Sequence, residues 1–125
     1  MDIDLSDFST AQQQALLDLL TLAMYADGQP LTVENKLLQT LFTAMGHTAV
    51  TDCQHELEAA VTRISPSIQS VQKAKKLASV LAEAFTSRDQ HKRVYAAVQK
   101  MMASDKHVSS WESTLLSELR LKFRL

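Results

Sequence analysis

Across 125 residues there is one cysteine, two prolines and two glycines, and aromatic residues make up 6% of the chain. A single thiol, Cys53, excludes an internal disulfide framework and suits a reducing compartment. So few turn-formers leave little room for an architecture of short strands and tight reversals. No apolar run approaches the roughly 18 residues that span a bilayer. The opening "MDIDLSDF" is acidic and lacks the basic and apolar regions of a secretory signal. These absences lead to the expectation of a cytoplasmic protein.

What is present fits an ordinary globular chain, with 46% hydrophobic and 22% charged residues. The length suits one domain, 1–125, able to bury a core without staples. A formal net charge of −1 conceals a polarity between the two halves. Residues 1–60 carry nine acids against one base, and residues 61–125 carry twelve bases against five acids, giving −8 and +7. That split marks either an interaction surface or two halves that pack together. The balance gives no support for nucleic-acid binding.

Helical periodicity runs throughout. Leu16, Leu19, Leu20, Ala23 and Met24 form a stripe in a helix spanning about 10–26, with Ser9 or Thr10 as its cap. Asp27-Gly28 and Pro30 end it. A second helix is expected over about 33–45, capped by Thr32 and closed by Gly46, with Leu37, Leu38, Leu41 and Met45 on its apolar face. A third is expected over about 52–64, where "TDCQ" resembles a capping box, and Ser65-Pro66 stops it. The stretch 68–85 is helical by its spacing, either as one helix or with its early part as a separate short helix. Two further helices follow over about 89–104 and 110–123. No segment alternates with period two. The expected fold is an all-α single-domain bundle of six or seven helices.

"YADGQPLTVENKLL" and "ASDKHVSSWESTLL" share an Asp, a Glu seven residues later and a leucine pair. Leu37, Leu38 and Leu41 align without gaps on Leu115, Leu116 and Leu119. Two copies are too few for a solenoid. They suggest two repeated αα-hairpins, about 10–45 and 89–123, packed into one bundle.

An EF-hand reading of the first loop fails, because its first two ligand positions would fall on Ala23 and Tyr25. A looser constellation remains: Asp27 and Glu34 in one copy, Asp105 and Glu112 in the other. Four carboxylates at one end of a bundle would suit Ca²⁺, Mg²⁺ or Mn²⁺ rather than a soft metal. The plain structural explanation competes with this one. Asp-Gly is a common turn pair, Ser109 with Glu112 has capping-box spacing, and a helix dipole favours Glu in a first turn. Further candidates are weak. His55-Glu56 lacks the second His of a zinc-hydrolase helix, His91 sits in a basic stretch read as solvated, and His107 reads as an exposed loop residue. Cys53 has no CxxC partner and is expected to be partly buried. No nucleophile elbow or phosphate loop occurs, so no enzyme is expected. The C-terminal "RLKFRL" is too short for a stable membrane anchor.

"LLTLAMYADGQPLTVENKLLQTLFTAMG" resembles the first hairpin of the tellurite-resistance TerB family, with its Ala-Asp-Gly loop, following Glu and leucine-rich helix. "VYAAVQKMMASDKHVSSWESTLLSEL" is similar to a degenerate second hairpin, while the middle helices match only in length and helical character. The resemblance implies a bacterial, all-helical, non-enzymatic domain whose acidic residues bind divalent metal, in tellurite resistance or a metal-linked stress response. A fold similar to this serves interaction in the N-terminal domain of membrane-anchored DnaJ-like co-chaperones, so the alternative is a protein-interaction module without metal function. Either reading implies a protein partner. The family's positions fall on Asp27, Glu34, Asp105 and Glu112. Lys106 departs from the family's Gly, and a one-residue shift at Pro30-Leu31 would put Asn35 in place of Glu34.

Overall fold

A computed structural model describes residues 5–26, 35–102 and 110–125. Among these, the chain is all-helical. Six α-helices follow in order: α1 Thr10–Ala26, α2 Lys36–Ala44, α3 Val50–Ile64, α4 Val71–Ala82, α5 Arg88–Met102 and α6 Ser110–Phe123. A single 3-10 turn, Ser65–Ser67, links α3 towards α4 and carries Pro66 at its start, where a missing N–H costs nothing.

The organising element is α1, which packs against each of the other five α-helices. Every residue from Ala15 to Met24 is buried. The sequence "ALLDLLTLAM" explains this, since it is apolar on all sides and such a helix belongs in the centre of a bundle. The expected stripe of Leu16, Leu19, Leu20, Ala23 and Met24 is buried, and Leu17 and Leu22 on the flanks are buried too. Two polar residues in the run have local solutions. The Thr21 hydroxyl donates to the Leu17 carbonyl at 2.7 Å. Asp18 accepts from Arg63 of α3, Nε at 3.0 Å and 3.1 Å and Nη2 at 2.8 Å. That pairing raises the Arg63 pKa above its ordinary value, through the hydrogen bond to Asp18 first.

Around α1, the longest seam is between α4 and α6. The residues that α4 buries are Ala74, Ala78 and Ala82, small side chains that let another helix approach closely. Leu77 and Leu81 are only partly buried beside them.

Several helix starts differ from expectation for identifiable reasons. The α2 cap is Asn35, not Thr32: its backbone is extended, and its Oδ1 accepts from Leu37 N at 2.9 Å and Leu38 N at 3.2 Å. The third helix begins at Val50 after Ala49, which offers no side-chain cap, so Thr51 lies inside the helix and "TDCQ" is not its capping box. By contrast, Ser9 and Gln12 form a reciprocal box, with Ser9 N donating to Gln12 Oε1 at 2.9 Å and Gln12 N donating to Ser9 Oγ at 3.1 Å.

Gly46 ends α2 as expected, with φ +86°. Gly46 N reaches Thr43 O at 3.0 Å and His47 N reaches Phe42 O at 2.8 Å, the paired bonds of a Schellman cap.

Candidate functional site

The ends of four helices meet where the sequence places its acidic loops. Tyr25, near the end of α1, meets Trp111 at the start of α6 edge-on, with ring centroids 5.9 Å apart. In the reverse sense, Asn35 at the start of α2 donates through Nδ2 to Met101 Sδ near the end of α5, at 3.4 Å. The end of one helix pair thus touches the start of the other, in both directions. At the opposite ends of α1 and α5, Gln12 and Gln90 exchange side-chain amide bonds of 3.1 Å and 3.2 Å.

Of the four carboxylates expected to act, Glu112 is described and Asp27, Glu34 and Asp105 lie outside the described residues. Glu112 occupies the first turn of α6 and is 3% exposed. A carboxylate there is favoured by the positive end of the helix dipole, yet such burial is uncommon for Glu. Asn35, the alternative to Glu34, has its amide oxygen committed to two backbone N–H groups of α2. Its role is that of a cap.

The aligned leucines bury alike, with Leu38 and Leu41 at 0% and Leu115 and Leu119 at 2% and 1%. The helix starts do not align. Carried by the 78-residue interval, Lys36 would fall on Thr114, but α6 begins at Ser110, four residues or one turn earlier. Glu112 is therefore the third residue of its helix, whereas Glu34 precedes the cap of α2.

Hard divalent cations take oxygen ligands, and the Glu112 carboxylate is a donor of that kind. Among the described residues no group of three His, Cys, Asp or Glu side chains could hold a metal ion. A centre at this end would need oxygens from Asp27, Glu34 or Asp105 beside Glu112.

Other residues singled out by the sequence have structural roles. His91, expected to be solvated, stacks on Phe123 with centroids 4.4 Å apart and planes 10° apart, and its Nε2 lies 2.7 Å from Phe85 O. The correction follows from α6 ending against α5, which covers one imidazole face. His47 pairs with Glu56 at 3.3 Å, and Cys53 is partly buried beside the His47 carbonyl. His107 lies outside the described residues.

Sequence reasoning missed the links that need tertiary knowledge: Tyr25–Trp111, Asn35–Met101 and the Gln12–Gln90 pair. For the last a signal existed. Ser9-x-x-Gln12 recurs as Ser87-x-x-Gln90 at the same 78-residue interval, and Gln90 N donates to Ser87 Oγ at 3.1 Å as Gln12 N does to Ser9 Oγ. Among the described residues no helix is long and apolar enough to cross a membrane. Comparison with protein-family models, with curated proteins and with solved structures finds no match for this chain.

Proposed function

We propose that the chain is a non-enzymatic, TerB-like helical domain built from two related hairpins, α1–α2 and α5–α6, that binds a divalent cation at the end where they meet. The observation that carries this reading is the burial of Glu112 beside that junction. A buried carboxylate supplies a hard oxygen donor of the kind that divalent cations take. Support for the hairpin relationship comes from Ser9/Gln12 and Ser87/Gln90, in which the Gln N–H donates to the Ser Oγ in both pairs at a 78-residue interval. Buried residues follow the same interval: Leu16 and Val94, Leu20 and Val98, Met24 and Met102. On this reading Asp27, Glu34, Asp105 and Glu112 supply the oxygens, and the cation is Ca²⁺, Mg²⁺ or Mn²⁺. The biological setting proposed is tellurite resistance or a metal-linked stress response, in the cytoplasm and with a protein partner.

A second reading is favoured by the cap role of Asn35 and by Lys106, which sets a positive charge beside Asp105 in sequence. The same domain would then be a protein-interaction module without metal. Calorimetric titration of Ca²⁺, Mg²⁺, Mn²⁺ and Zn²⁺ into the wild type and into Asp27→Asn with Asp105→Asn separates the two. Binding by the wild type that disappears in the double variant supports the metal site. Heat that survives in the variant overturns the residue assignment, and no binding of any cation favours the interaction module.

A further inference from the structure

Independent of the metal reading of the acidic end, the α4–α6 seam forms a recess of about 260 Å³ lined by Lys75, Ser113, Thr114, Ser117, Glu118 and Leu121. The two helices and the residues next to their ends carry Lys73, Lys75, Lys76, Arg120, Lys122 and Arg124, all exposed, against Glu83, Glu112 and Glu118, a net of +6 − 3 = +3, and of these acids Glu112 is buried. The α4 sequence "VQKAKKLASVLA" has three lysines and no acid. Two of the cations are tethered at the seam, Lys75 to Glu118 at 3.8 Å and Lys122 to Glu83 at 3.0 Å, which fixes where positive charge stands. At the recess, Leu121 is 74% exposed, more than any other large hydrophobic residue among those described.

We propose that this recess is a docking groove for an acidic, amphipathic segment of a partner protein. The segment's acids would meet Lys75 and the other exposed cations that α4 and α6 carry, and an apolar side chain of the segment would cover Leu121, as an amphipathic helix does in a groove. The hydroxyls of Ser113, Thr114 and Ser117 offer donors and acceptors to its polar groups. Two other anionic partners fit less well. A lipid surface is flat and cannot reach into the recess, and a nucleic-acid backbone offers no apolar side chain to cover Leu121.

The test uses the isotope-labelled full chain, titrated with a synthetic amphipathic peptide of roughly four helical turns whose polar face is Glu and whose apolar face is Leu. A counterpart with Lys for every Glu and vesicles of mixed phosphatidylcholine and phosphatidylglycerol serve as comparisons. The expected result is amide shifts centred on Lys75, Ser113, Ser117 and Leu121 with the Glu peptide, weakened by added salt. Leu121→Ser and Lys75→Gln, both at exposed positions, should each weaken binding about five- to tenfold while leaving the rest of the spectrum in place. Equal binding of the Lys peptide, shifts elsewhere on the surface, binding of vesicles alone, or no response to the peptide would each overturn the proposal.

Discussion

Gln12 and Gln90 hold each other through reciprocal amide bonds of 3.1 Å and 3.2 Å, and 78 residues separate them. The same interval relates Leu37 to Leu115. Gln12 Nε2 also donates to the Ala84 carbonyl at 3.0 Å, and Gln90 Nε2 donates to the Asp7 carbonyl at 3.3 Å. One pair of amides thereby ties α1, α5, the N-terminal segment and the α4–α5 connection. Cutting one member strands buried partners, so Gln90→Ala should cost about 1–3 kcal/mol. A double-mutant cycle with Gln12→Ala, read by urea unfolding, should give a coupling of about 1 kcal/mol. Additive losses would mean that the pair acts as two unrelated residues.

Asp18 and Arg63 make the second prediction. Asp18 is buried in the central helix, while the Arg63 side chain is 34% exposed. Replacing Arg63 by Met leaves the carboxylate without its guanidinium, a loss expected near 2–4 kcal/mol after allowance for that exposure. Adding Asp18→Leu removes the stranded charge. The double variant should recover part of the stability lost by the single one, as measured by thermal unfolding.

The legible part of the fold was the part written in local pattern. Period-3.6 stripes placed every helix, and Gly46 marked the end of α2, because these features act within a few residues. The central place of α1 was present as "ALLDLLTLAM", but a stripe reading credits one face and overlooks a helix that is apolar all round. Cap assignments failed where several candidates stood close together. Thr32 and Asn35 both suit a cap, and only the packing of Leu37 and Leu38 onto the core decides between them. The Asp27, Glu34, Asp105 and Glu112 set was readable as a repeated spacing. The burial of Glu112 was not, since it depends on how α6 packs in the assembled bundle.

Gly46 supplies a prediction free of packing effects. Its φ is +86°, and a Cβ added there would meet nothing within 4 Å. Gly46→Ala should therefore cost only backbone strain, about 1 kcal/mol, or roughly 3–5 °C in Tm. A much larger loss would point to a contact the open space does not suggest.

Asp7 and Arg93 give the pH dependence. Two bonds of 2.8 Å join them, and Arg93 also lies 5.1 Å from the centre of the Phe8 ring. The hydrogen bond from Arg93 lowers the Asp7 pKa below its ordinary value, and Asp7 raises that of Arg93. Because the folded carboxyl is the stronger acid, its contribution is present above the unfolded pKa and disappears as pH falls through the lowered folded value. NMR titration should find the Asp7 pKa depressed in the wild type and returned towards the ordinary carboxylate range in Arg93→Gln. An unchanged Asp7 titration in that variant would rule out Arg93 as the cause.

The proposed cation site is tested most directly by adding Mn²⁺ to the isotope-labelled protein and following paramagnetic broadening along the chain. The prediction is broadening concentrated at Tyr25, Asn35, Trp111 and Glu112, with Gln12 and Gln90 at the other end of the bundle left sharp, and relief of the effect in Glu112→Gln. Broadening spread evenly over exposed acids such as Asp52 and Glu58, or no broadening at all, would contradict a metal held between the two hairpins.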